Sequence, residues 1–248
     1  MRIRGALHVH STLSQDGTMT IPELVRWYRR NGYQFLALGE HAEDLDETKV
    51  RALSQQSVEN STREFCVIPG IEFACRSDIH ILGIGAVNLV REKDPLTVIQ
   101  AIHEERGLAV LTHPRRIGWE CPREVLLALD AAEIWNVAYD GKYLPSTQAL
   151  TRFRRMQQIN DKLLAVASHD FHRTASFYDV AIEMDVPLLS PSAVLRNLRR
   201  GFYEIRSRFF RADPQVRFSR GKALCLRLLS SQLGKLRTAR SLLLWWSL

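Results

Sequence analysis

Ile3-Arg4-Gly5-Ala6-Leu7-His8-Val9-His10-Ser11 opens the chain with a short, mostly apolar run that closes on two histidines. A run of this length reads as a buried strand, here Ile3–Val9. Residues two apart in a strand project to the same side, so His8 and His10 can aim both imidazoles at one point. Eight further short runs share this character: Gln34–Leu38, Phe65–Ile68, Ile79–Ile84, Leu108–Leu111, Ala132–Trp135, Leu163–Ala167, Val180–Met184 and Phe202–Arg206. Helical patterns lie between them. Pro22 opens one that continues through Leu24, Val25 and Tyr28. Pro95 opens another with Val98, Ile99 and Ile102 on one face and Gly107 as its stop, and Pro122 opens a third through Leu126 and Leu129. Residues 146–159 and Ser190–Leu198 supply two more. Alternation of this kind predicts an α/β fold on a mainly parallel sheet, open or closed into a barrel.

Working outward from His8 and His10, most of the eight histidines fall at predicted strand ends. Asp16 follows in Ser14-Gln15-Asp16-Gly17, where Gly17 is expected to let the chain turn. His41 comes just after the second strand in Glu40-His41, and Glu72 follows the third in Pro69-Gly70-Ile71-Glu72. His80 begins His80-Ile81-Leu82-Gly83, and His113 ends a strand in Thr112-His113-Pro114. Asp170 and His172 close another in Ser168-His169-Asp170-Phe171-His172. Functional residues of α/β sheets and barrels gather at the carboxyl ends of strands. Any one of these histidines could be an ordinary core or surface residue. Six imidazoles and three carboxylates at such ends, without a thiolate, instead suit zinc, manganese or iron. Metal would also supply the partners that so many buried polar groups need. His103 lies on a predicted helix and reads as a surface residue.

These segments, in this order and at this spacing over residues 3–208, resemble the PHP (polymerase and histidinol phosphatase) family. The resemblance implies a distorted (β/α)7 barrel, residues 1–208, with up to three divalent metals and hydrolysis of a phosphate ester. By it, His8, His10, Glu72 and Asp170 would hold the first metal, and Asp16, His41 and His172 the second. His80 and His113 would hold the third, with Glu72 bridging to the first. All nine positions carry a competent ligand. Two residues depart from the usual pattern: Glu40 stands where Asp is common, and His169 where a small residue is common. Only 32 residues separate His80 from His113, so the helical insertion of some family nucleases is absent and the pocket should be more open.

The expected chemistry is attack on phosphorus by a metal-activated hydroxide, with the remaining metals neutralising phosphoryl oxygens. His8, His10, Glu72, Asp170 and Arg115 are the residues expected to carry it. Arg115 and Arg116 follow Thr-His-Pro directly, Arg76 and Arg173 adjoin other ligand loops, and an arginine fork suits phosphate. Arg115, Arg116, Arg76 and His169 are thus the expected substrate contacts, and Glu133, Asn136 and Lys142 could also touch substrate. The leading reading is a phosphatase acting on a small phosphomonoester or nucleotide. The alternatives are a nuclease or phosphodiesterase and a non-catalytic, metal-stabilised interaction module. Structural metal sites do not need open positions, which disfavours the last.

The net charge of +7 is unevenly spread. Residues 1–195 balance at −4 and residues 196–248 at +11, so the basic character lies away from the candidate ligands. Residues 209–248 are expected to form a basic amphipathic helical tail, with Leu226, Leu229, Leu233, Leu236 and Leu243 near helical spacing and a terminal Trp245-Trp246. Such a tail packs its leucines on the barrel, or offers its arginines to nucleic acid or an anionic membrane. The four cysteines form no Cys-x-x-Cys pair, and no signal-like or membrane-spanning run is present. A cytoplasmic location, with peripheral membrane association through the tail, fits that reading.

Overall fold

A computed structural model of the chain describes residues 1–140 and 143–217. The first strand, β1 (Arg2–Val9), leads to α1 (Ile21–Arg30), whose N-cap Thr20 exchanges hydrogen bonds with Glu23 in a capping box. The buried face of α1 is Ile21, Leu24, Val25 and Tyr28, which covers β2 (Phe35–Leu38). β3 (Glu40–His41) continues β2 after Gly39. Next come α2 (Glu47–Glu59), β4 (Cys66–Ile68) and β5 (Gly70–Ala74), the last two separated only by Pro69. β6 (His80–Ile84) is followed by α3 (Pro95–Glu104), which Asp94 caps by accepting from the Thr97 N–H. Then follow β7 (Leu108–Leu111), α4 (Arg123–Ala128), β8 (Ala131–Asn136), the short α5 (Val137–Asp140), α6 (Thr147–Gln157) and β9 (Leu164–Ser168). β10 (Val180–Asp185), α7 (Pro191–Arg200), β11 (Glu204–Ser207) and β12 (Arg211–Ala212) complete the described chain. All nine expected strands are present, most within two residues of their expected bounds.

Two six-stranded sheets result, in the orders β12-β11-β10-β1-β2-β4 and β3-β5-β6-β7-β8-β9. The β1–β2, β2–β4, β3–β5, β7–β8 and β8–β9 pairs are parallel. The expected parallel arrangement nevertheless needs correction. β6 runs antiparallel to both β5 and β7, and β10 is antiparallel to β1 and β11. The segment between β5 and β6 holds no crossover helix, only one tight turn at Arg76–Asp78, so the chain must reverse there. Backbone hydrogen bonds tie the first sheet to the second where β1 and β9 end. The His169 N–H donates to the Leu7 carbonyl (3.0 Å), Phe171 N–H to His8 (3.2 Å), and His10 N–H to Phe171 (2.9 Å).

Much of the interior is apolar, with Leu36, Leu38, Ile71, Ile81, Leu111, Ile134 and Trp135 among its buried side chains. At about 25 cal/mol per Å2 of apolar surface, each such side chain contributes roughly 1.5–3 kcal/mol. Residues 209–217, expected to start the tail, belong to this domain. β12 pairs with β11, the Ala165 N–H donates to the Pro214 carbonyl, and Phe210, Ala212 and Val216 are buried. The rest of the expected helical tail, residues 218–248, and Lys142 lie outside the described residues. No helix among the described residues is long and apolar enough to cross a membrane.

Candidate metal centre

All nine candidate ligands converge on one end of the sheets. The reversed course of β6 explains why His80, at the start of its strand, joins residues at the ends of theirs. Antiparallel pairing sets His80 opposite Ala74, and its carbonyl accepts from the Thr112 N–H at 3.0 Å, beside His113. Glu72 is the hub. Its Oε2 lies 3.2 Å from His8 Nε2, 3.3 Å from His41 Nδ1 and 3.9 Å from His10 Nε2. Its Oε1 lies 2.9 Å from His113 Nε2 and 3.4 Å from His80 Nδ1, and accepts from the Thr112 hydroxyl at 2.7 Å. Asp170 Oδ1 lies 3.4 Å from His10 Nε2 and 3.7 Å from His8 Nε2. On the open side, Asp16 lies 3.4 Å from His41 and 3.1 Å from His172.

Three of these residues hold left-handed backbone angles: His8 (φ 61°), His113 (φ 29°) and Asp170 (φ 48°). The register of β1 against β2 shifts between Ala6 and Val9. His8 and His10 therefore converge through a bulge and not through regular strand alternation. Left-handed non-glycine residues cost of the order of 1–3 kcal/mol each and collect where a side chain must be aimed. Gly17 closes the expected turn, its N–H donating to the Ser14 carbonyl at 3.3 Å, and a Cβ there would sit 1.9 Å from the Ser11 carbonyl oxygen, so close approach also requires glycine.

A second layer orients the ligands. Glu133 accepts from His8 Nδ1 (2.8 Å), from the His113 N–H (2.6 Å) and from Asn136 Nδ2 (2.9 Å). A proton on Nδ1, shared with Glu133, would leave Nε2, which faces Glu72 and Asp170, free to coordinate a cation. Asn136 also donates to Asp170 Oδ2 at 3.2 Å. Glu133 and Asn136 are fully buried and thus position ligands, where the sequence suggested substrate contact. Glu40 accepts from the Ser11 and Ser14 N–H groups and the Ser14 hydroxyl, and Ser14 Oγ in turn accepts from the His41 N–H. The longer Glu in place of Asp thus fastens the loop that carries Asp16.

Charge follows this arrangement. Burial works to lower His8, but Glu72, Asp170 and Glu133 outweigh it and hold its proton well above the ordinary histidine range. Burial lowers His10 to about 4, aided by His8 and His172, so its ring is neutral. His41 is raised to about 9: burial opposes this, but Glu72 and Asp16 prevail. Burial favours the neutral forms of Glu72 and Asp170, yet the surrounding imidazoles hold both well below the usual carboxylate range. The donor set fits divalent cations. His8 Nε2, both nitrogens of His10 and His80 Nδ1 are buried without a hydrogen-bond partner. Three sets of donor atoms each fall within 4.8 Å: His8/His10/Glu72, His10/His41/His172 and Glu72/His80/His113. Burial pushes the Cys66 and Cys75 thiols up to about 12, and neither belongs to any of these three donor sets.

The expected substrate contacts divide. Arg115 and Arg116 stand on the rim beside His113. Arg115 Nη1 donates to the Tyr139 carbonyl at 2.8 Å, and Arg116 pairs with Asp78 at 2.9 Å. Asp78 lies 3.7 Å from His80 Nε2. Arg76 is exposed and its charge acts on Asp94 at the start of α3, away from the cluster. Arg173 is likewise exposed. His169 is corrected outright: it is buried, Tyr28 Oη lies 2.8 Å from Nδ1, and Nε2 meets the Val180 carbonyl at 2.5 Å. With both nitrogens engaged, it braces α1 and β10 and does not line the opening. His103 is exposed and pairs with Asp130, as expected of a surface residue. Sequence reading missed Tyr139, whose ring centroid lies 5.2 Å from that of His113. Its position on the one-turn helix right after β8 was the available signal. A separate cavity of about 520 Å3, lined by Trp119, Leu126, Arg152 and Met156, contains none of the nine ligands.

No model of a known protein family matches the chain, and no curated protein does. Solved structures do share its fold. PsfC from Pseudomonas syringae superposes with a TM-score of 0.60 at 14% identity, over 94% of this chain and 97% of that one. A Bifidobacterium adolescentis protein provisionally described as a metal-dependent phosphoesterase gives 0.51 at 16% identity, over 68% and 87%. The lesion-specific endonuclease PfuEndoQ from Pyrococcus furiosus gives 0.58 at 14% identity, over 86% of this chain and 59% of that longer one. The fold is therefore shared with a protein provisionally described as a metal-dependent phosphoesterase and with a lesion-specific endonuclease.

Proposed function

We propose that this chain is a metal-dependent phosphoesterase of PHP type that hydrolyses a phosphomonoester. The observation that carries this reading is Glu72, a buried carboxylate whose two oxygens face five imidazoles, several with unpartnered nitrogens. Burying so many imidazoles and carboxylates together carries a desolvation cost that bound cations would offset. On this reading the two sheets form one distorted seven-stranded barrel, closed where β1 meets the segment after β9. Three cations would be held by His8, His10, Glu72 and Asp170, by Asp16, His41 and His172, and by Glu72, His80 and His113. When bound, such cations supply Lewis acidity and charge neutralisation at the phosphoryl group.

The chain's own residues do the rest. Glu133 keeps the His8 proton on Nδ1 and fixes the His113 backbone, and Asn136 holds Asp170 in place. Arg115 and Arg116 offer guanidinium groups to the phosphoryl oxygens from the His113 side. Water adds its oxygen to phosphorus, the ester P–O bond breaks, and the alcohol leaves with a proton. Two rim arginines match the extra charge of a terminal phosphate, which favours a monoester. A nuclease reading draws support from the likeness to PfuEndoQ, whose printed activity is endonucleolytic. One assay separates the two: phosphate or strand release from monoesters, diesters and short oligonucleotides with added manganese or zinc. Monoesters are expected to be preferred, and Glu72→Gln and His10→Ala should each reduce turnover to background. Full activity in either variant would sink the proposal, and preferential cleavage of oligonucleotides would favour the nuclease.

A further inference from the structure

The cavity of about 520 Å3 between the turn after β7, α4 and α6 shares no residue with the metal centre. Its lining is largely apolar, and Ile79, Trp119, Leu126 and Met156 are buried in its walls. Those walls are tied to the fold. Gly118 (φ 63°) and Trp119 (φ 65°) form a left-handed pair, and the Trp119 N–H donates to the Pro114 carbonyl at 2.8 Å. A left-handed tryptophan costs energy that the surrounding structure must sustain. Buried Asn160, just past α6, donates to the Leu126 and Leu129 carbonyls at 2.8 and 3.1 Å, which fastens the end of α6 to the end of α4.

The charge in this lining is lopsided. Arg152 and Arg155 stand three residues apart on α6 and share one side of it with Met156. Neither guanidinium has an ion pair or hydrogen bond among the described residues, whereas Arg154 between them donates to the Val216 carbonyl at 3.3 Å. Glu120 is the only acid in the lining among the described residues. Small-molecule sites are cavities of roughly 300–1,000 Å3, mostly apolar, with a few polar groups that fix orientation. We infer that this cavity binds a small amphipathic carboxylate, its apolar body against Trp119, Leu126 and Met156 and its head on Arg152 and Arg155. A guanidinium fork matches a carboxylate. Two arginines against Glu120 leave one net positive charge, which suits a monoanion better than a doubly charged phosphate. The site stands apart from the phosphoesterase reading and does not depend on it.

Octanoate and phenylbutyrate serve as probes, each beside the corresponding alcohol, in calorimetric titrations of the full-length, metal-loaded protein. At least one carboxylate should bind, roughly tenfold more tightly than its alcohol. Arg152→Gln combined with Arg155→Gln should abolish that preference, weakening the carboxylate roughly tenfold and leaving the alcohol unchanged. Arg63→Gln removes an exposed charge elsewhere and should change neither. Chelator treatment should leave the affinity unchanged, because a carboxylate held by metal would be released by it. Half-buried Cys121 locates the ligand: as part of the cavity lining, it should be alkylated severalfold more slowly when the carboxylate is bound, read by peptide mass spectrometry. Failure of both carboxylates to bind, an equal loss in Arg63→Gln, unaltered alkylation of Cys121, or binding that vanishes with the metal would each overturn the site.

Discussion

Glu133 illustrates how much of this site lies beyond the ligands. It touches His8, the His113 backbone and Asn136 from a fully buried position, so its loss frees two ligands at once. Glu133→Gln should lower metal affinity roughly 10- to 100-fold with the fold intact, as measured by competition with a chromophoric chelator. His41 gives a pH signature. Its folded value of about 9 lies above the ordinary 6.5. Its contribution to metal-free stability is therefore fully present below pH 6.5 and lost as pH rises through about 9. Urea unfolding of chelator-treated protein should show that decline, and His41→Asn should flatten it. Metal affinity should rise over the same interval as the competing proton leaves. Residue identity at this scale was legible because ligand chemistry admits few side chains, and the nine candidates come together as a set. The second layer was not legible: Glu133 and Asn136 look like any polar pair at a strand end until their partners appear. His169 misled because neighbouring positions at a strand end can face opposite sides, and it faces Tyr28 and Val180.

Elements were read from their apolar spacing, and the failures mark where spacing carries little. α2 escaped notice because only Leu53 and Ser57 of its residues are buried, too few to make a stripe. β3 and β5 are not among the expected strands, since each continues the strand before it past a single Gly39 or Pro69. The direction of β6 cannot be inferred from its composition, which suits a parallel strand equally well. Gly70, where β4 passes into β5, has a requirement of its own. A Cβ there would lie 2.4 Å from the Leu38 carbonyl oxygen and 2.9 Å from that of Gly83. Both neighbours are backbone within sheets and have little room to give. Gly70→Ala should therefore destabilise the protein by about 1–3 kcal/mol, seen as a lower urea midpoint.

For the molecule as a whole, the boundary of the folded unit moves outward from the expected residue 208. Phe210 on Trp135, the Pro214 carbonyl on β9 and buried Val216 bind residues 209–217 into the domain. Truncation after Ser207 removes all three and should cost at least about 3 kcal/mol, the scale of losing one buried aromatic side chain. Thermal melts of this truncation against the full chain measure that loss. The earlier boundary followed the reach of the motif resemblance, residues 3–208, which carries no information on what packs beyond it. The two oxygens of Glu72 carry a further consequence. One carboxylate serves two groups of imidazoles, so occupancy of either group fixes a donor that the other requires. Binding in one place must then alter affinity in the other by an equal and reciprocal factor. On the proposed trinuclear reading, metal loading should therefore depart from independent steps.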